Sequence, residues 1–144
     1  MEVTVVKNDA QYQDALTVRK EVFVGEQNVP PELEIDEYED AAVHFVAYED
    51  GKPVGAGRYR KKGDIAKVER ICVLKSMRGR HIGEAIMNSI EKEALNADFS
   101  KLVLNAQTHA IRFYEKLGYR ITSEEFEEAG IPHVEMQKEI QAKK

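Results

Sequence analysis

The stretch that most constrains this chain runs Val68-Glu69-Arg70-Ile71-Cys72-Val73-Leu74-Lys75-Ser76-Met77-Arg78-Gly79-Arg80-His81-Ile82-Gly83-Glu84-Ala85-Ile86-Met87. An apolar-rich run ends in a basic turn containing glycine, and a helix-period pattern follows at once. Strand, turn and helix are therefore predicted in direct succession. The first backbone N–H groups of a helix have no intrahelical acceptor, and the helix dipole favours anions there. Arg78 and Arg80 add positive charge to the same place. The residues alone point to a phosphate-binding turn.

Charge is spread unevenly along the 144 residues. Residues 1–50 hold 13 acids against 3 bases, whereas residues 52–80 hold 10 bases against 2 acids. The asymmetry predicts a basic site for phosphates beside an acidic entrance for a cationic substrate, or simply two solvated faces of opposite sign. A pI near 5.5 and the lack of a basic stripe with interleaved aromatics argue against nucleic-acid binding. No apolar run approaches membrane-spanning length, so no membrane association is expected. The first seven residues lack the basic region and long apolar core of a signal peptide. The single cysteine, Cys72, excludes an internal disulfide framework and fits a reducing cytoplasm. His44, His81, His109 and His133 are scattered, so no metal is expected. Residues 1–144 are expected to form one domain.

Met1–Lys7 reads as a first strand. Asn8, with Gln11 three residues on, reads as an N-cap for a helix reaching about Phe23. Residues 25–41, with Pro30, Pro31 and many acids, predict a loop with a short helical turn. Val43–Tyr48 and Pro53–Arg60 form a hairpin about Glu49-Asp50-Gly51-Lys52. Gly55 and Gly57 there predict a close backbone approach or a bulge. Ile65–Leu74 is a long strand, and the helix after it carries Ile82, Ala85, Ile86, Ile90 and Ala94 on one face. Leu102–Leu104 predicts a buried strand. Thr108 caps a helix bearing Ala110, Phe113, Tyr114 and Leu117, with Gly118 as its left-handed cap. Tyr119–Thr122 and His133–Lys138 make a final strand pair, and residues 123–132 between them read as a loop. The order β-α-β-β-β-α-β-α-β-β implies an α/β fold with a mixed, largely antiparallel sheet.

Laid out this way, the chain resembles the GNAT (GCN5-related) N-acetyltransferase family over nearly its whole length, and the bacterial ElaA/YjcF-like subgroup within it. The family signature Q/R-x-x-G-x-G/A falls on Arg78-Gly79-Arg80-His81-Ile82-Gly83, with His81 at the first motif glycine. Asn105 through Tyr119 resembles the family segment ending F-Y-x-x-x-G-F/Y. The subgroup likeness rests on Arg19, Val22-Phe23-Val24, Glu26-Gln27, Pro30, Glu34-Ile35-Asp36-Glu37, Glu69-Arg70-Ile71-Cys72-Val73 and Gly130-Ile131-Pro132-His133. The resemblance implies a GNAT-type sheet of about six to seven strands with helices on both faces. It also implies acetyl-CoA as co-substrate and transfer to an amine by direct attack in a ternary complex.

The resemblance implies roles residue by residue. Arg78, Gly79, Arg80, His81, Ile82, Gly83 and Glu84 would hold the pyrophosphate. His81 puts the backbone approach in question, because histidine enters positive φ less freely than glycine. Ile71, Cys72 and Val73 would pair their backbone with pantetheine amides. Asn105 would bond the pantetheine arm or lead the next helix, and Phe113 would pack near the cofactor. Tyr114 matches the family's thiolate-protonating tyrosine, although its stripe also suits a core aromatic. Cys72, mid-strand without a partner histidine, reads as a small core hydrophobe rather than a nucleophile.

The general base is less fixed. Glu69, placed by alternation on the face of Ile71 and Val73, is a base or a salt-bridge partner. His133 and His109 are alternatives by pKa alone. The acceptor is expected in the N-terminal half, at Arg19, Phe23, Glu26, Gln27, Glu34, Asp36 and His44. Competing readings are a different acyl-CoA donor or acceptor, and a non-catalytic CoA-binding module. A homodimer is left open. A dinucleotide-binding βαβ unit fits poorly, because a β-hairpin precedes the glycine turn.

Overall fold

The computed structural model describes residues 1–140. The one-domain expectation for residues 1–144 thus includes four residues outside the described part. Strand β1 (Glu2–Val5) leads into helix α1 (Asp9–Arg19). Asn8 caps that helix by accepting from the Gln11 N–H, and Gln11 reaches back to the Lys7 N–H at 2.7 Å. The chain does not leave the helix at Phe23. It widens into a π-helical segment, Lys20–Glu26, and closes with Gln27 N–H donating to the Val22 carbonyl. A one-turn helix α2 (Pro31–Glu34) follows inside the predicted loop.

Three antiparallel strands come next: β2 (Val43–Glu49), β3 (Lys52–Lys62) and β4 (Ile65–Val73). The β2–β3 turn puts Asp50 and Gly51 at positive φ, the geometry that matches strand twist. Helix α3 (Ile82–Asn96) crosses to β5 (Lys101–Gln107), which lies parallel to β4. Helix α4 (Ile111–Lys116) is led by a 3₁₀ turn, Thr108–Ala110, in place of the Thr108 side-chain cap expected. Gly118, at φ +100°, ends it as expected. The chain finishes with β6 (Arg120–Ile121), β7 (Phe126–Glu128) and β8 (Ile131–Glu139).

The sheet runs β1-β2-β3-β4-β5-β8-β6, with β7 also on β8. It has eight strands where six to seven were expected. The extra strand is β7, in the segment read as a loop. Both β6 and β7 pair with β8, the first at Met136–Gln137 and the second at Ile131–His133, so they lie end to end along it. Ser123 and Thr122 fill the gap between them, with Ser123 Oγ accepting the Glu135 N–H.

Helices cover both faces, as the resemblance implied. On one face Ile82, Ile86, Met87, Ile90 and Ala94 of α3 pack against Phe45, Val68, Leu102 and Leu104. On the other, Ala15, Val18 and Val22 pack on Val46, Ala56 and Cys72. Gly55 and Gly57 let α3 approach closely: a Cβ on Gly57 would lie 2.6 Å from Ile71 Cδ1 and 3.1 Å from Ile86 Cγ2. Truncating a side chain as buried as Ile86 would cost about 2–5 kcal/mol.

One bulge sits beside Gly55 on β3, where Ala47 faces Gly55 and Tyr48 faces Pro53, with Val54 extra. A larger change of face comes from the bulge across from Gly55 and Gly57, on β4. Ala56 faces Cys72 and Arg58 faces Glu69, so β4 carries one more residue than β3 between the pairs, with Arg70 at φ +61°. This overturns the alternation expected for Glu69. The extra residue moves Glu69 to the face of Cys72, while Ile71 turns to the α3 face.

Candidate active site

Beyond the bulge, β4 and β5 part. They pair only over Ala66–Val68 and Leu102–Leu104. The opening between them is a cleft of about 1330 Å³. One wall holds Ile71, Cys72 and Val73; the other holds Asn105 and Gln107. Backbone groups on the facing edges of these segments are left without a sheet partner, because the strands have diverged.

At one end of the cleft stands the N-terminus of α3. Its first intrahelical bond is from Ala85 N–H to the His81 carbonyl, so the N–H groups of Ile82, Gly83 and Glu84 are unclaimed by the helix. His81 takes the left-handed conformation, φ +64° and ψ +20°, and Gly79 also has positive φ, +83°. The histidine thus adopts the conformation put in question by its sequence. Its ring stands out in solvent, 3.3 Å from Glu84 Oε1. Gly83 is needed for packing: a Cβ there would lie 3.2 Å from Phe113 Cζ.

Phe113 and Tyr114 sit edge to face, 4.9 Å between centroids, and both border the cleft. Burial pushes the Tyr114 phenol well above its usual pKa, with the Cys72 thiol adding to the shift. Burial likewise raises the Cys72 thiol to about 12. Cys72 is therefore a protonated side chain among aliphatic neighbours, unsuited to attack an acyl group.

Of the residues singled out in the sequence, Phe23, Glu26, Gln27, Glu34, Asp36, Glu69, His109 and His133 also border the cleft. The π-helical segment carries Phe23 and Glu26, and Gln27 caps it. Gln27 and Gln107 exchange amide hydrogen bonds at 2.8 and 3.3 Å, joining the two walls. His133 Nδ1 lies 2.7 Å from the Ile131 carbonyl, and its ring stacks on Phe126. Asn105 donates to Glu128 at 3.0 Å. Arg78 also borders the cleft, but its guanidinium is clasped by Glu26.

Three residues, Arg80, Arg19 and His44, are elsewhere. Arg80 is exposed on the turn and does not line the cleft. Arg19, expected at the acceptor, is only 1% exposed and away from the cleft. Its guanidinium meets Glu34 and Glu39, each at 2.7 Å. These contacts belong to a network in which Arg58 binds Glu39 and Asp36, both at 2.7 Å, and Glu69 at 2.9 Å. Arg60 shares Glu69 at 3.1 Å, and Arg70 reaches Asp36 at 3.2 Å. Burial opposes ionisation of Glu39, but hydrogen bonds from Arg19 and the charges of Arg19 and Arg58 outweigh it and hold the carboxyl at about 2. His44 joins the same cluster through the Glu39 carbonyl at 2.8 Å.

The acid-rich entrance is therefore neutralised by arginines. Alternation along β3 brings Arg58 and Arg60 to one face, but nothing in the sequence joins Arg58 to Asp36 and Glu39 some twenty residues upstream. Lys67 was likewise missed: it is buried on β4 and lines the cleft, with no motif to mark it.

Residues 6–140 match the acetyltransferase (GNAT) domain family. The chain belongs to the GNAT acetyltransferase family. It is 54% identical over 140 residues to the N-acetyltransferase YjcF of Bacillus subtilis (strain 168), covering 96% of this chain and all of that one. It is 29% identical over 136 residues to ElaA of Escherichia coli (strain K12), covering 91% and 89% of the two chains. The ElaA crystal structure superposes with a TM-score of 0.81 at 24% identity, over 96% of this chain and 99% of that one. An aminoglycoside 6′-N-acetyltransferase crystallised with coenzyme A shares the fold, with a TM-score of 0.80 at 17% identity over 100% and 99% of the chains. This GNAT chain is thus an acyltransferase of the ElaA/YjcF-like subgroup. Among its described residues no helix is long and apolar enough to cross a membrane.

Proposed function

We propose that this GNAT enzyme moves the acetyl group of acetyl-CoA to a primary amine by direct attack, with both substrates bound together. The observation that carries the reading is the splayed β4–β5 edge ending beside the free N–H groups of α3. A pantetheine arm is a chain of amides and would be taken up as a partial strand along Ile71–Val73, with Asn105 opposite. A pyrophosphate suits the N-terminus of α3, where Gly79 and His81 in left-handed conformations turn the backbone inward. A cleft of about 1330 Å³ exceeds the roughly 300–1,000 Å³ of a one-ligand site, which supports joint occupancy.

Acetyl-CoA supplies the activated thioester. The chain's own residues align it, hold the amine against it and manage two protons. As the amine nitrogen forms its bond to the carbonyl carbon, the carbon–sulfur bond breaks and the amine sheds a proton. Tyr114, a phenol kept protonated by burial, is the donor assigned to the departing thiolate. For the amine's proton, Glu69 Oε1 is already taken by Arg58 and Arg60, so a role for Glu69 runs through Oε2 and a water. Holding both reactants converts a bimolecular encounter into a local one, a large share of any acyl-transfer rate.

Calorimetric titration with acetyl-CoA and CoA, followed by thiol release against an amine panel, tests the proposal. Micromolar binding with acetyl-CoA-dependent thiol release is expected. Absence of binding at cofactor concentrations up to a millimolar would overturn it.

A further inference from the structure

Lys67 is a largely buried cleft cation, 8% exposed, for which no ion pair is seen among the described residues. Glu128 borders the cleft too but is exposed and takes a hydrogen bond from Asn105, while three other cleft acids are matched. Asp36 is held by Arg58 and Arg70, Glu34 by Arg19, and Glu69 by Arg58 and Arg60. The Lys67 stem is buried, while its Nζ is not among the fully enclosed polar atoms. The ammonium thus opens onto the cleft, where an anion brought by a ligand would pair with it at reduced solvent screening.

Its place in the sheet says where that partner would lie. Lys67 sits opposite Val103 on β5, so it shares a face with Asn105, and through β8 with Glu135 and His133. Helix α1 covers that face only as far as β4, at Ala56 and Cys72. Of the rest, Lys67, Asn105, Gln107 and His133 border the cleft. Burial holds the Lys67 pKa below its usual value, with Lys62 adding to the shift; Glu69, Glu128 and Glu135 oppose it only at range.

We propose that Lys67 receives an anionic group of the acceptor, a carboxylate or a phosphate, so that the substrate is an amine that also carries negative charge. This rests on the acetyltransferase reading and names the acceptor class for the same site. The arginine-matched acids leave no free carboxylate cluster to select a purely cationic amine. A compact ammonium on a flexible stem suits either anion as a point charge.

The test is calorimetry on the CoA-saturated enzyme with product-like probes. N-acetylglycine carries a carboxylate, N-acetyl-phosphoethanolamine a phosphate, and N-ethylacetamide neither. At least one anionic probe is expected to bind tenfold or more tightly than N-ethylacetamide, and which one identifies the anion. The preference should shrink below about threefold in Lys67→Met and persist in Lys67→Arg, with CoA affinity equal in all three proteins. Equal binding of charged and neutral probes, no binding of any probe, or an undiminished preference in Lys67→Met would overturn the assignment. Thiol release from neutral amines that falls alike in both variants would make Lys67 a proton acceptor and overturn it too. Failure of CoA itself to bind the wild-type protein would instead remove the acetyltransferase reading.

Discussion

Arg78 and Glu26 meet in a forked ion pair, with Nη1 2.7 Å from Oε2 and Nη2 2.6 Å from Oε1. The pair ties the turn before α3 to the last residue of the π-helical segment. It places a carboxylate on the arginine that the family motif assigns to phosphate. Both side chains are partly exposed, so the pair is weak enough to exchange partners.

If Arg78 serves the pyrophosphate, Glu26 competes with it. Glu26→Gln should then strengthen CoA binding about three- to tenfold at low salt, with the gain fading as salt rises. Calorimetric titration at two ionic strengths checks this. Unchanged affinity would leave Arg78 with a structural job only.

Tyr114→Phe keeps the ring that packs against Phe113 and Tyr119 and removes only the hydroxyl. Turnover should drop by about a hundredfold or more, the scale of a lost general acid, while CoA affinity stays within about twofold. Steady-state kinetics beside a binding isotherm separates the two. A kcat equal to wild type would strip Tyr114 of the acid role.

His81 pays for its left-handed backbone. A side chain there costs about 1–2 kcal/mol, against about 0.5–1 kcal/mol for the extra unfolded-state freedom of glycine. His81→Gly should therefore stabilise the protein by about 0.5–1 kcal/mol and leave CoA binding intact, because the turn already has the required shape. Denaturant unfolding of both proteins checks the sign; a loss of stability would mean the exposed ring does more than its 3.3 Å approach to Glu84 suggests.

Glu39 makes stability acid-labile. Its folded pKa, about 2, lies below the ordinary 4.5, so its contribution is complete above about pH 4.5 and drains away as pH falls toward 2. The contribution is on the order of 3 kcal/mol. Denaturation midpoints taken at about pH 6 and pH 3 should differ most at the higher value, and the gap between wild type and Glu39→Gln should shrink to less than about half at the lower. A constant gap between them would assign the acid response to other carboxylates.

The helices and strands around the cleft were legible because their patterns are local. The α3 stripe, the Asp50-Gly51 turn and the Asn8 cap each rest on a few neighbouring residues. What was hidden depends on register and distant partners. One extra residue at Arg70 inverted the face expected for Glu69, and alternation carries no sign of where it breaks. Arg19 looked like a ligand-binding arginine because Glu34 and Glu39, its partners, reach it only in the fold. Lys67 is unremarkable in a basic stretch and becomes distinctive once burial separates it from its neighbours. The β7 hairpin was missed because Phe126–Glu128 is short and acidic, while its turn at Ala129 and Gly130 supplies two positive-φ residues.

The π-helical segment has a consequence for how this scaffold tolerates change in length. A π turn holds one residue more than the α turn it replaces, so it acts as a phase shift in the helix. Deleting a residue such as Gly25 would let ordinary winding resume and swing everything beyond it by about 100°. Glu26 and Gln27 would then leave Arg78 and Gln107, while the buried side of α1 would stay where it is. A single-codon loss here would uncouple the rim of the cleft from a core that remains folded.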